Sequence, residues 1–243
     1  MDDLLTKENK KIEICEVDYM GEYQLYHLFN RFSEIATINA IKIGLWNQEM
    51  MGKYGWVVAK QTLHLEEPIL YNDEIIISTL PGKASFVSFP RYYFINKKGY
   101  QIGYCSSLWT LIDLQRRRIV APKRVGIQVP NVHHNLYLEE PQNINVNIPL
   151  FYIETRQVRY SDVDTNQHMN NTRYIQWALD IIDYHMHQDD FISDISIQYK
   201  KEIAPLTQVE LYMGHDQLHY IIEGKQEDEI FFVIEVLFSK RCL

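Results

Sequence analysis

The chain has 243 residues, 46% hydrophobic and 13% aromatic, enough to build a sizeable core in one large unit or two ordinary ones. Its formal net charge of −8 excludes a general nucleic-acid binder, whose phosphate contacts demand a basic excess. No apolar run reaches membrane-span length, and the N-terminus, MDDLLTKENKKIEI, has neither a signal-peptide core nor a transit pattern; Cys15, Cys105 and Cys242 are scattered, without metal-ligand spacing, as expected of reduced thiols in a cytosol.

In chain order, the pattern predicts a strand over 12–17 and then a helix from about Tyr23. Leu25, Leu28, Phe29, Phe32, Ile35 and Ala36 recur on one face of that helix, and Gly44 suits its end. Strands are expected at 56–65, 74–80, 86–95 and 101–111. Residues 91–124 carry eight Lys or Arg (Arg91, Lys97, Lys98, Arg116, Arg117, Arg118, Lys123, Arg124) against one acid, Asp113. Such a stretch is either a solvated strand edge and turn or a docking patch for an acidic partner. Residues 125–150 hold Pro130, Pro141, Pro149 and five Asn with little periodicity, and read as a linker.

The second half repeats the plan of the first. A strand is expected over 152–160 and a helix from near Asn170, with Tyr174, Trp177, Ala178, Ile181, Ile182 and His185 as its stripe. Strands should follow near 195–201, 208–214, 218–223 and 230–238. Local text recurs weakly: Val17-Asp18-Tyr19 answers Val158-Arg159-Tyr160, and residues 62–69 answer 196–203. A duplicated helix-plus-antiparallel-strand unit is an α+β arrangement, divided here as 1–124, 125–150 and 151–243.

Ahead of the second helix, residues 159–171 (RYSDVDTNQHMNN) concentrate more polar chemistry than a helix start requires. Asp164, Asn166 and His168 stand at every second position, so an extended lead-in would project them from one face. Four readings compete. A calcium loop opens with Asp162, Asp164 and Asn166 but has Gln167 where Gly is needed and Arg173 where a bidentate Glu is needed. Zinc would need further ligands, and His133-His134, His185, His187 and the pair His215/His219 do not converge on His168 in sequence. A purely structural cap is the third reading. The fourth is hydrolytic acyl chemistry, with a carboxylate orienting an imidazole or water and helix-start N–H groups holding an oxyanion.

The run from Tyr160 to Trp177, together with Trp56-Val57-Val58-Ala59-Lys60 and Trp109-Thr110-Leu111-Ile112-Asp113, resembles the acyl-acyl-carrier-protein thioesterases. The similarity extends from about Ile12 to the C-terminus. It implies two fused hotdog units, a tandem double hotdog in which each long helix packs on a curved antiparallel sheet. It also implies that Asp164, Asn166 and His168 are catalytic together with Glu202, which lies in Ile197-Gln198-Tyr199-Lys200-Lys201-Glu202. Some relatives place Cys after that Glu; Ile203 stands here, which excludes a thiol nucleophile at that position.

The resemblance further implies hydrolysis of a fatty acyl thioester on acyl carrier protein, with no cofactor and no metal. Glu202, alone or with His168, would activate water, Asn166 would position it, and Asp164 would orient the site. The basic residues Arg116–Arg118, Lys123 and Arg124 become a docking surface for the acidic carrier. The acyl tail would lie in the first half, with Phe29, Phe32, Ile35 and Trp46 as candidate lining. That half, aligned here through Tyr23-Gln24-Leu25-Tyr26-His27, retains one His and neither carboxylate nor amide at matching spacing, so one active site per chain is expected. The surroundings would be cytoplasmic, and a homodimer is compatible with the pattern.

Overall fold

The computed structural model describes residues 2–132 and 138–241. Its first strand, β1 (Thr6–Lys11), lies ahead of the predicted 12–17. The sequence TKENKK has no apolar alternation to betray a strand; it forms the polar edge of the sheet, paired on one side with β3 (Glu74–Pro81). Residues Ile14–Glu16 instead make a 3-10 turn, while buried Ile12 is tied by its N–H to the Asp73 carbonyl at 2.9 Å.

Helix α1 (Leu25–Lys42) forms as its stripe predicts, burying Leu25, Leu28, Phe29, Phe32, Ile35 and Ala36. Gly44 follows it with φ +75, the left-handed geometry that a residue without Cβ adopts freely. The strands β2 (Tyr54–Leu65), β3, β4 (Phe89–Lys97) and β5 (Tyr100–Asp113) complete the first unit, with a two-residue β6 (Arg118–Ile119) beside β5. The second unit contains β7 (Phe151–Gln157), α2 (Asn171–Asp180), α3 (Met186–Asp189), β8 (Asp190–Tyr199), β9 (Gln208–Asp216), β10 (His219–Gln226) and β11 (Glu229–Lys240).

All of these strands join one antiparallel sheet in the order β1-β3-β4-β5-β2-β8-β11-β10-β9-β7, with β6 off the path. The second five strands repeat the first five in reverse, as two units related by a two-fold rotation would. At the seam, Thr62 of β2 faces Ser196 of β8, and their hydroxyls lie 3.0 Å apart. These two residues also open the weakly repeated segments 62–69 and 196–203. A residue on a two-fold axis faces its own copy, so sequence repeat and sheet register identify the same axis. The hydrophobic core runs through the seam, from Phe29 and Phe32 to Ile195, Ile197 and Phe232. The architecture is a double hotdog.

The second helix is shorter than its stripe suggested. It stops at Asp180, and the chain turns before α3 because Asp183 Oδ1 accepts the His185 N–H at 2.8 Å, an Asx turn that competes with helical bonding. Ile182 still packs in the core, whereas His185 serves as N-cap of α3. Among the described residues of 126–150 there is no helix or strand, and His133 and His134 lie outside the described residues.

Candidate active site

The segment before α2 is not the extended lead-in that two-residue spacing suggested. After a 3-10 turn at Tyr160–Asp162, Val163 and Met169 bridge, and the residues between them close into a tight loop. The Asp164 N–H donates to the His168 carbonyl at 2.9 Å, and the Gln167 N–H to the Asp164 carbonyl at 3.0 Å. Gln167 takes φ +64 to make the turn, and Asp164 Oδ1 accepts the Asn166 N–H at 2.8 Å. Asp164 therefore shapes the loop that displays Asn166 and His168. Asp164 Oδ1 is engaged in the loop's own turn, and among the described residues no group of three or more His, Cys, Asp or Glu gathers as a metal-ligand set.

Glu202 reaches this loop through the backbone. The Met169 N–H donates to the Ile203 carbonyl at 2.8 Å, so the residue after His168 is bonded to the residue after Glu202. The two side chains consequently meet, with His168 Nε2 3.6 Å from Glu202 Oε2. That separation is an ion-pair distance rather than a hydrogen bond. His168 Nδ1 is buried without a partner among the described atoms. Beneath the site lies Tyr174, whose hydroxyl pKa is raised by burial and further by the charges of Glu202 and Asp164, so it remains a neutral phenol.

A fifth residue joins the site. Arg117, from the turn between β5 and β6, donates from Nη2 to Glu202 Oε2, and the same nitrogen lies 3.5 Å from His168 Nε2. It was visible in the sequence only as one member of a basic run. No spacing signal connects position 117 to 168 or 202, because the contact is made across the two units.

Asp162, Asn170 and Asn171 serve structure. Asp162 Oδ2 accepts the Arg159 N–H at 2.8 Å, and Asn170 caps α2 by accepting the Thr172 N–H at 2.9 Å. The Asn171 carbonyl accepts the Tyr199 hydroxyl at 3.1 Å. The expected oxyanion donors at the helix start are largely occupied: the N–H groups of Asn170, Thr172 and Arg173 all have acceptors within the protein. Burial pushes the Cys105 thiol up, away from thiolate character, and Cys15 is exposed with only Glu13 Oε2 near its sulfur, at 3.9 Å. Cys242 lies outside the described residues.

A cavity of about 380 Å³ opens beside the loop, lined by Thr165 and Asn166, by Val129 and Pro130 of the connecting segment, and otherwise by the first unit. Ala36, Ala40, Leu45, Trp46, Trp56 and Phe89 make it largely apolar. Of the four residues expected to line an acyl channel, Trp46 lines this cavity, whereas Phe29, Phe32 and Ile35 are core residues with exposures of 1%, 0% and 0%. Arg91, counted in the basic run, is buried against this cavity and donates to Asn39 Oδ1 at 2.7 Å and Thr79 Oγ1 at 3.3 Å. Arg116, Arg118, Lys123 and Arg124 are exposed.

The first unit holds a copy of this loop, but not at Tyr23–His27. Val17 and Tyr23 bridge as Val163 and Met169 do. The Asp18 N–H donates to the Glu22 carbonyl at 2.9 Å, Gly21 N–H to the Asp18 carbonyl at 3.0 Å, and Tyr23 N–H to the Ile69 carbonyl at 2.7 Å. Asp18 thus matches Asp164, Met20 matches Asn166, Glu22 matches His168 and Pro68 matches Glu202. The loop-shaping carboxylate persists in the first unit, contrary to the sequence alignment, whereas the amide, the imidazole and the second carboxylate do not. His27 sits on α1 at the position of Arg173.

Fold and site together define a double-hotdog protein in which His168 and Glu202 meet beside a loop that borders an apolar cavity. Residues 3–124 match the acyl-ACP thioesterase N-terminal domain and residues 151–236 match the acyl-ACP thioesterase C-terminal domain; the chain belongs to the acyl-ACP thioesterase family. It is 22% identical over 221 residues to a chloroplastic palmitoyl-acyl carrier protein thioesterase of Cuphea hookeriana, covering 83% of this chain and 52% of that one. It is 26% identical over 157 residues to a chloroplastic dodecanoyl-[acyl-carrier-protein] hydrolase of Cinnamomum camphora, covering 60% and 41%. The chain spans about half the length of these curated relatives. An acyl-ACP thioesterase of Bacteroides thetaiotaomicron superposes with a TM-score of 0.87 at 22% identity over 98% of this chain and 99% of that one. For the 12:0-ACP thioesterase of Umbellularia californica the values are 0.82, 17%, 98% and 98%.

Proposed function

We propose that this chain hydrolyses the thioester of a fatty acyl chain carried on acyl carrier protein, releasing the free acid. The observation that carries this reading is the meeting of Glu202 with His168 at the loop that lends Asn166 to an apolar cavity. The acyl tail lies in that cavity, within the half spanning 1–124, while the half spanning 151–243 supplies the reacting groups.

A thioester carbonyl is weakly stabilised by sulfur, and its leaving thiol has a pKa of about 8.5, so strong acid assistance is unnecessary. Glu202, acting with His168, takes a proton from water as the water oxygen adds to the carbonyl carbon. The carbon–sulfur bond then breaks and the thiol departs with a proton. Asn166 directs the reactants from the cavity lining, and its side-chain amide, one N–H of which reaches Asp164 Oδ2 at 3.4 Å, has a second N–H to offer the oxyanion. Asp164 acts by shaping the loop.

The exposed Arg116, Arg118, Lys123 and Arg124 supply a cationic surface for an acidic carrier, and Arg117 links their turn directly to Glu202. A hydrolysis panel of acyl-carrier-protein and acyl-CoA thioesters across chain lengths tests the reading. Turnover should favour the carrier-bound series; equal or better turnover of acyl-CoA would reject the carrier assignment, and no turnover of either would reject the activity.

A further inference from the structure

The two units exchange arginines. Arg117 leaves the first unit to contact Glu202 and approach His168 in the second. Arg241, just past β11 of the second unit, enters the first and donates to Glu22, the residue that occupies the His168 position of the copied loop. Arg241 is also anchored on the carbonyls of His187 at 2.9 Å and Asp190 at 3.0 Å. In the copied loop, the borrowed arginine lies on Glu22, which stands where the imidazole would be. In the intact loop, the borrowed arginine lies on the reacting carboxylate.

The turn that presents Arg117 is itself fixed. Asp113 Oδ1 accepts the N–H groups of Gln115 at 3.0 Å and Arg116 at 2.9 Å, and Arg117 follows with φ +52. Glu202 gains from such support, because it lies past the end of β8 and 38% of its side chain is exposed, although the backbone around it is held by the Lys200 and Lys201 N–H groups on the Phe231 carbonyl. A glutamate there loses rotamer freedom only if something holds it. Its 3.6 Å gap to His168 is too long for a hydrogen bond, and the Arg117 Nη2 atom lies against both groups.

We propose that Arg117 is a positioning residue for the hydrolysis, reaching from the first unit to hold Glu202 Oε2 beside His168 and leave Oε1 to receive the proton from water. The active site is then shared between the units, although its reacting groups all come from the second. This rests on the reading of Glu202 and His168 as the reacting pair.

The test is a double-mutant cycle of Arg117→Ala and Glu202→Gln, with Arg117→Lys as a third variant. Hydrolysis of an acyl-carrier-protein substrate and of a short acyl-pantetheine thioester is followed under single-turnover and steady-state conditions, and thermal melting checks that each variant folds. Arg117→Ala should lower kcat on both substrates by about tenfold to a hundredfold, the loss that slight misplacement of a reacting group produces. KM for the carrier-bound substrate should change little, Arg117→Lys should recover part of the rate, and Arg117→Ala should cause no further loss in the Glu202→Gln background. A rise in KM confined to the carrier-bound substrate would make Arg117 a docking cation and overturn the proposal. An undiminished loss in the Glu202→Gln background would also overturn it. Wild-type kcat in Arg117→Ala, with Glu202→Gln inactive, sinks the positioning role alone; full activity of Glu202→Gln sinks the reacting pair and this proposal with it.

Discussion

Glu202 and His168 meet because one backbone hydrogen bond, from Met169 to Ile203, sets their two segments side by side. Replacing Glu202 by Gln or His168 by Ala keeps that bond. Each variant should therefore melt near wild type while kcat falls by roughly 10²- to 10⁴-fold, the usual contribution of a positioned acid or base. Hydrolysis in heavy-oxygen water in a single turnover should leave Glu202 unlabelled, since the water attacks the carbonyl; label in its carboxylate would instead require an anhydride intermediate. Asn170 belongs to a different category despite standing two residues from His168. Its side chain caps α2, so Asn170→Ala should cost about 1 kcal/mol in a denaturant titration. Sorting these neighbours by type alone is impossible: Asn166 and Asn170 are the same residue, separated by a tight loop that aims one at the cavity and the other at a helix end.

At the scale of elements, long strands and α1 were legible because their apolar periodicity coincides with burial. The polar edge strand β1 was not, since an edge strand pairs on one side and has no apolar face to advertise. The break after α2 was missed because Asp183 ends the helix through a local side-chain bond while Ile182 continues the hydrophobic stripe. Sheet packing also makes demands that composition conceals. A Cβ on Gly103 of β5 would lie 2.6 Å from the His64 carbonyl oxygen of β2. Gly103→Ala should force those strands apart and destabilise the protein by about 1–3 kcal/mol, read from the denaturation midpoint.

For the whole molecule, the repeat in the sequence and the two-fold in the sheet are one fact seen twice, yet the two units have diverged in opposite directions. One loop keeps Asp164, Asn166 and His168, with Glu202 brought against it; the other keeps Asp18, and its Glu22 accepts from Arg241. The cavity is lined mostly by the first unit, whereas His168 and Glu202 stand in the second, so under the proposed function the acyl tail and the chemistry fall to different halves. Reversing charge at Arg116, Arg118 and Arg124 should raise KM for an acyl-carrier-protein substrate several-fold more than KM for a short acyl-pantetheine thioester. The difference should shrink as salt is added, because exposed charges are screened over about 10 Å at 0.1 M.

By itself the sequence determined the duplicated α+β plan and the family resemblance, which rest on local order and residue type, and that resemblance nominated Asp164, Asn166, His168 and Glu202. Tertiary structure alone decided that Asp164 shapes a loop, that Arg91 is buried and that Arg117 touches Glu202. It also moved the degenerate loop from Tyr23–His27 to Asp18–Glu22. The physical reason is range: periodicity and motifs record what neighbours along the chain must do, whereas a guanidinium crossing from one unit to the other is placed by the sheet that joins them.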